Sequence, residues 1–294
     1  MRVFVLTKKT LIIAGVAAVV LIAGLVLALV LGGNDKRIGE PTAVGAMPYE
    51  NYELEVLAGK HRELPVYNVQ RDDNKIALTI DAAWEDDRTP FILDELDRQG
   101  IKATFYLTGI WVDEYPEHVK EIALRGHELG NHTDKHPHMN QLGAEDIKKD
   151  VKTLDDKIEK ITGVRTKTFR APYGEYNDLV ITTLRAMGYV PVQWNLDTID
   201  WKQERSTEQI LNSVVPKLSS GSIILTHNNG YKIEEYLPLL INAAKEQGYE
   251  FVTVSELLLP GDTMIDVNGV QKPASLQPAS ADETFNEEGL IEEK

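Results

Sequence analysis

From Lys75 to Val254 short apolar runs alternate with amphipathic stretches, and nothing else in the sequence limits the fold as strongly. Strand patterns fall at Lys75–Ile80, Lys102–Leu107, near Phe169, at Tyr189–Asn195, Ser222–Thr226 and Phe251–Val254. Helix patterns fall at Pro90–Arg98, Pro116–Leu124, Asp178–Met187, Thr207–Leu218 and Glu234–Gln247. The clearest helix is Ala144–Ile161, where Ile147, Val151, Leu154, Ile158 and Ile161 share one face and Gly163 ends the run. Such alternation predicts an α/β fold, a parallel sheet wrapped by helices. Periodicity alone does not choose between a barrel and a doubly wound sheet.

The ends of the chain read differently. Leu11–Leu31 is an unbroken run of 21 apolar or glycine residues, preceded by Arg2, Lys8 and Lys9. At 1.5 Å per residue this spans roughly 30 Å, the thickness of a bilayer's hydrocarbon core. The basic flank places the N-terminus in the cytoplasm and the rest of the chain outside. A cleaved signal peptide is the competing reading, but the run is longer than the usual ~7–15 residues and lacks an A-x-A site. The expected organisation is a cytoplasmic N-terminus at 1–9 and a single-pass signal anchor in the plasma membrane at 10–32. A stalk with edge strands at 33–74, an α/β domain at 75–259 and an acidic, disordered tail at 260–294 follow.

Composition excludes whole classes of function. The net charge of −15 argues against a nucleic-acid binder, which needs basic residues to displace phosphate counterions. Without cysteine there is no disulfide, thiolate metal site or cysteine nucleophile, so any metal must be held by His, Asp or Glu.

Five features carry chemistry, and all fall near the ends of the expected strands. Asp81 ends the first strand in Leu78-Thr79-Ile80-Asp81-Ala82-Ala83-Trp84, where α/β enzymes keep catalytic groups. The bland alternative is a helix cap. His132 and His136 form an H-x3-H pair that can aim two imidazoles at one divalent ion or be surface histidines. Phe169-Arg170-Ala171-Pro172-Tyr173-Gly174 fixes a turn and offers Arg170 to a carboxylate. Trp194, Asp197, Asp200 and Trp201 suit a carbohydrate site or ordinary packing. In Leu225-Thr226-His227 a histidine leaves a buried strand, either as an inert cap or as a general acid.

Taken in order, these segments resemble the five motifs of the NodB-type polysaccharide deacetylases, the family-four carbohydrate esterases, over about Ile76 to Leu258. The resemblance implies a distorted (β/α) barrel and a divalent metal, zinc or else cobalt, held by one Asp and two His. By motif, His132 and His136 match the metal-ligand histidines, Asp81 the general base and His227 the acid that protonates the leaving amine. Arg170 would hold Asp81, with Asp197 or Asp200 behind it; the Tyr173 N–H in the Pro172 turn would face the oxyanion. Leu225 and Trp201 would wall the acetyl pocket.

One departure from the family pattern matters. Its metal-ligand Asp follows the base directly, and Ala82 stands there. Asp87, favoured over Asp86, is expected to replace it; a site with two histidines or no metal is the alternative. The resemblance implies an N-deacetylase acting on an N-acetylated cell-wall glycan, with peptidoglycan as the expected substrate; the apolar run and its basic flank add the expectation of a membrane anchor and an extracytoplasmic domain. The rival is a glycan-binding or scaffold protein that keeps the fold without the chemistry. The sequence sets no oligomeric state.

Overall fold

The computed structural model of the chain describes residues 62–85 and 88–274. Two units divide the chain at Val44, and the described residues all belong to the second, Gly45–Lys294. The expected cytoplasmic N-terminus and anchor, most of the stalk, Asp86, Asp87 and the acidic end of the tail lie outside the described residues. Among the described residues no helix is long and apolar enough to cross a membrane.

The first half of the domain runs β1 (Asn68–Val69), β2 (Lys75–Ala82), α1 (Thr89–Gln99), β3 (Thr104–Leu107), α2 (Gly109–Glu114), α3 (Pro116–Leu124) and β4 (Glu128–Asn131). It continues through α4 (Ala144–Thr162), β5 (Thr168–Phe169), α5 (Asp178–Ala186), β6 (Val190–Pro191) and β7 (Leu196–Asp197). The last part holds α6 (Thr207–Val214), β8 (Ile223–His227), α7 (Ile233–Glu246), β9 (Glu250–Val252), α8 (Val254–Leu257), β10 (Thr263–Ile265) and β11 (Val270–Pro273).

Strand β2 is the axis of the sheet. Its residues from Ile76 to Ala82 are all buried, which an apolar run achieves with a parallel neighbour on each side and helices over one face. The strand order is β6-β5-β4-β3-β2-β8-β7, with β9 added beside the start of β2 and every pair parallel. Chain order therefore runs around the sheet from β2 to β6 in one direction and through β8 to β7 in the other. The result is a curled parallel sheet, a half-barrel whose seam lies between β6 and β7. Val66 bridges to Val192, and Asn68 to Ser222, so the segment ahead of β2 is laced across this seam.

Alternation along the strands divides the residues cleanly. Ile76, Leu78, Ile80 and Ala82 pack outward with Leu93 of α1 and Leu237 of α7 in the main apolar core. Thr79 and Asp81 face inward, in register with Leu225 and His227 of β8 and with Thr104 and Tyr106 of β3. Gly130, opposite Tyr106, is glycine because a Cβ there would come within 2.5 Å of the Tyr106 ring.

Several expectations need correction. The strand at Tyr189–Asn195 shrinks to Val190–Pro191; Val192 still donates to the Phe169 carbonyl and also bridges to Val66. The segment Glu128–Asn131, whose glycine hides the pattern, is a strand held between β3 and β5. The tail does not begin at residue 260: β10 and β11 form an antiparallel hairpin, and β11 pairs in parallel with β1. That pairing joins residues about 200 positions apart, which no local pattern reveals.

Candidate active site

The site lies at the C-terminal ends of the parallel strands, where the inward-facing side chains leave the sheet. Asp81, 5% exposed, ends β2. Arg170, fully buried, donates from Nη1 to Asp81 Oδ1 at 2.6 Å and to Thr79 Oγ1 at 2.8 Å, and from Nη2 to the Gln193 carbonyl at 3.1 Å. The guanidinium also lies 4.1 Å from the Tyr106 ring centroid and 5.4 Å from that of Trp194. Burial alone would raise the Asp81 carboxyl, but Arg170, His132 and His227 outweigh it and hold the group below the usual carboxylate range. Asp81 is thus an ionised base in a nearly dry site.

The two histidines of the H-x3-H pair follow β4, with ring centroids 5.0 Å apart. His132 Nδ1 lies 2.8 Å from the Arg170 carbonyl, to which it donates, leaving Nε2 with its lone pair 3.6 Å from Asp81 Oδ2. His136 takes a left-handed backbone (φ 53°), fixed by its N–H donating to Thr133 Oγ1 at 2.9 Å. Its Nδ1 is buried and has no hydrogen-bond partner among the described residues. Burial lowers both imidazoles, His136 to about 3, so both are neutral at pH 7.

Neutral, fixed imidazoles with one orphaned nitrogen fit two of the ligands that a divalent cation needs. Among the described residues, no group of three or more His, Cys, Asp or Glu completes a metal site. Ala82 offers nothing: its methyl is buried in the apolar core on the face of β2 opposite Asp81. Asp87 and Asp86 fall outside the described residues.

His227 forms the other half of the site. It ends β8, in register with Asp81. Its Nδ1 donates to Asp200 Oδ1 at 2.7 Å, and Asp200 Oδ2 accepts from the His227 N–H at 3.0 Å and the Tyr236 hydroxyl at 2.5 Å. Burial would lower this imidazole, but Asp200, Asp81 and Asp197 prevail and raise it to about 9. His227 is therefore a protonated acid at neutral pH. Gly230 makes this packing possible, because a Cβ there would lie 2.0 Å from Asp200 Oδ2.

The loop between β7 and α6 is shaped around this contact. Asp197 Oδ1 accepts from the Ile199 N–H at 2.7 Å, and Ile199 takes φ 52°, an outlying conformation for a β-branched residue. Burial raises the Asp197 carboxyl. Either Asp197 or Asp200 was expected behind Arg170; Asp200 instead orients His227, and Thr79 and the Gln193 carbonyl support Arg170. Trp194 packs partly buried beside the small core around Val66, under the Arg170 guanidinium. Trp201 leads out of the loop half-exposed, with Lys202 Nζ 4.9 Å from its ring. Leu225 is buried on the inward face between Thr79 and Asp197.

Pro172-Tyr173-Gly174 forms a single 3-10 turn with Tyr173 at φ 58°, its Gly174 and Glu175 N–H groups spent on the Ala171 and Pro172 carbonyls. The Tyr173 ring touches His136 edge-on at 4.5 Å. Thr79, Gln193, Gly230 and Tyr236 were not legible as site residues. Thr79 could have been found from its polarity on the inward face two residues before Asp81; Tyr236 carries no signal beyond an ordinary helix pattern.

The polysaccharide deacetylase family model matches residues 68–192. The chain is 34% identical over 194 residues to the uncharacterised protein YlxY of Bacillus subtilis, covering 66% of this chain and 60% of that relative's length. It is 31% identical over 232 residues to a peptidoglycan-N-acetylglucosamine deacetylase of Bacillus cereus, covering 73% of this chain and 84% of that one. Among solved structures it resembles Bacillus anthracis BA3943, described as a CE4 family pseudoenzyme. The TM-score is 0.63 and the identity 31%, over 68% of this chain and 70% of that one. A mutant of BA3943 is described as having restored enzymatic activity. Sheet topology, site order and this degree of identity place the chain in the NodB-type polysaccharide deacetylase family, the family-four carbohydrate esterases.

Proposed function

We infer that the protein is an N-deacetylase of a cell-envelope glycan, peptidoglycan being the substrate, which hydrolyses an acetamide to an amine and acetate. The observation that carries this reading is the pairing of an ionised Asp81 with a protonated His227 in register on adjacent strands, each fixed by a buried partner. Asp81 takes a proton from the attacking water, whose oxygen bonds to the acetamide carbon. His227 gives a proton to the nitrogen as the C–N bond breaks, releasing the amine. The Tyr173 N–H stabilises the tetrahedral oxyanion. Leu225 and Trp201 enclose the acetyl methyl.

His132 and His136 would hold a divalent cation, zinc or cobalt, with Asp87 or Asp86 as the carboxylate ligand. A cation there supplies Lewis-acid polarisation of the amide and a bound water of lowered pKa. The apolar run at 10–32, with its basic flank, supports a plasma-membrane anchor that sets the domain beside the wall.

Ala82 favours a second reading, a glycan-binding relative without turnover, and the similarity to a pseudoenzyme supports it. Acetate release separates the two. The full-length protein in detergent, stripped of metal and reloaded with zinc or cobalt, is given peptidoglycan and N-acetylglucosamine oligomers. Metal-dependent acetate establishes the enzyme; folded, metal-loaded protein that binds glycan and yields no acetate establishes the relative.

A further inference from the structure

Trp84 stands at the rim of the site, has no part in the assignments above, and is 50% exposed. Its backbone is nonetheless fastened. On one side Thr108 Oγ1 donates to the Ala83 carbonyl at 3.4 Å. On the other, the Glu85 carbonyl accepts from Trp111 Nε1 at 2.7 Å and from Asn228 Nδ2. The indole meets His136 edge-on, centroids 4.8 Å apart at 68°. His136 meets Tyr173 at 74°, and Tyr173 stacks on His138 at 4.6 Å and 18°, with His138 Nδ1 2.8 Å from Glu175 Oε2.

Four rings, Trp84, His136, Tyr173 and His138, thus run in unbroken contact, and both Trp84 and Tyr173 leave about half their surface open, 50% and 46%. Scattered exposed apolar residues need no explanation, but two large rings joined through a partly buried imidazole form a patch. Tyr173 keeps its place through a left-handed backbone, a conformation that persists where the surroundings over-determine it. Rings with two side-chain torsions, already fixed by packing, lose little freedom when a ligand covers them. The C–H face of a pyranose suits such a surface.

The geometry points to Trp84, with Tyr173, as a platform for a second sugar of the glycan, the one next to the sugar whose acetamide reacts. The identity of the ligand as a glycan rests on the reading under Proposed function. Trp84 is a positioning residue that makes the site prefer an oligomer over a monosaccharide. If it served only to prop His136, its loss would weaken metal binding and affect every ligand length alike.

The test uses full-length protein in detergent, metal-free, titrated with N-acetylglucosamine and its oligomers from dimer to pentamer by calorimetry. A parallel cobalt titration is followed by absorbance. Wild-type affinity is expected to rise from monomer to dimer. Trp84→Ala is expected to weaken oligomer binding about three- to tenfold, leaving monomer and cobalt binding unchanged, and Trp84→Phe to recover most of the loss. Equal loss for monomer and oligomer, a shifted cobalt affinity, or wild-type binding independent of length would overturn the proposal. Acetate release is measured on the same proteins after metal loading. Length-dependent, Trp84-dependent binding without acetate would sink the hydrolase reading and leave the platform standing; acetate with length-independent binding would do the reverse.

Discussion

Asp81 and His227 sit opposite one another across the β2–β8 ladder, and the two groups are driven to opposite charges. One backbone register delivers a base and an acid to the same face of the sheet, and separate buried partners keep them apart in pKa. Arg170 belongs to Asp81, Asp200 to His227.

This pairing predicts an alkaline limit to activity. An acid with a pKa of about 9 is protonated at neutral pH and loses its proton above that value, so kcat/KM should fall about tenfold per pH unit beyond it. Asp200→Asn removes the carboxylate that raises His227 while burial still lowers it, and should move the limit toward neutral pH. A pH–rate profile unchanged in Asp200→Asn would remove His227 as the acid.

Gly230→Ala should act on the same group from behind. Its Cβ would lie 2.0 Å from Asp200 Oδ2, so the carboxylate must shift and the His227 hydrogen bond with it. The expected outcome is a loss of kcat of tenfold or more, of order 1.4 kcal/mol in the barrier, with near-normal KM and an alkaline limit displaced as in Asp200→Asn. Wild-type kinetics would show that Asp200 does not orient the acid.

Alanine is a poor probe of Asp81, because it leaves Arg170 charged and buried without its carboxylate. Removing one member of a buried pair costs about 3–5 kcal/mol. Asp81→Asn keeps the shape and should lower kcat about 10²–10⁴-fold with the fold intact. Denaturant titration separates the two variants: Asp81→Ala should be markedly less stable, Asp81→Asn much less so.

His127 gives a prediction about stability. It is 6% exposed, accepts from the Ala103 N–H at 3.3 Å, and burial lowers it to about 4. The folded state therefore binds this proton later than the unfolded chain, whose histidine titrates near 6.5. Stability is fully present above about pH 6.5, declines by about 3 kcal/mol as pH falls from there to about 4, and levels off below, where both states carry the proton. In His127→Gln, urea titrations between pH 7 and pH 4 should show a flatter decline. Parallel wild-type and mutant profiles would contradict the assignment.

Much of this site was legible because its residues end strands that announce themselves. Asp81 and His227 each close an apolar run, and the H-x3-H and R-x-P-Y segments are local in sequence. What stayed hidden depends on distant pairing. Asp200 and Tyr236 lie on a loop and a helix that converge only in the fold, so local pattern leaves Asp200 as one of two candidates behind Arg170 and not as the partner of His227. Glu128–Asn131 holds too little β-pattern to stand out, yet β3 and β5 hold it as a strand. The outward direction of Ala82 follows from strand alternation, but only once β2 is known to stay regular to its last residue.

If Asp81 and His227 together hydrolyse an N-acetyl group, the decisive quantity is acetate released from peptidoglycan. Zinc-loaded wild-type protein should release acetate, metal-stripped protein should release none, and Asp81→Asn should be slower by at least about 10²-fold. Folded, zinc-binding wild-type protein that yields no acetate from peptidoglycan or from N-acetylglucosamine oligomers would mean that Asp81 and His227 do not carry out this hydrolysis.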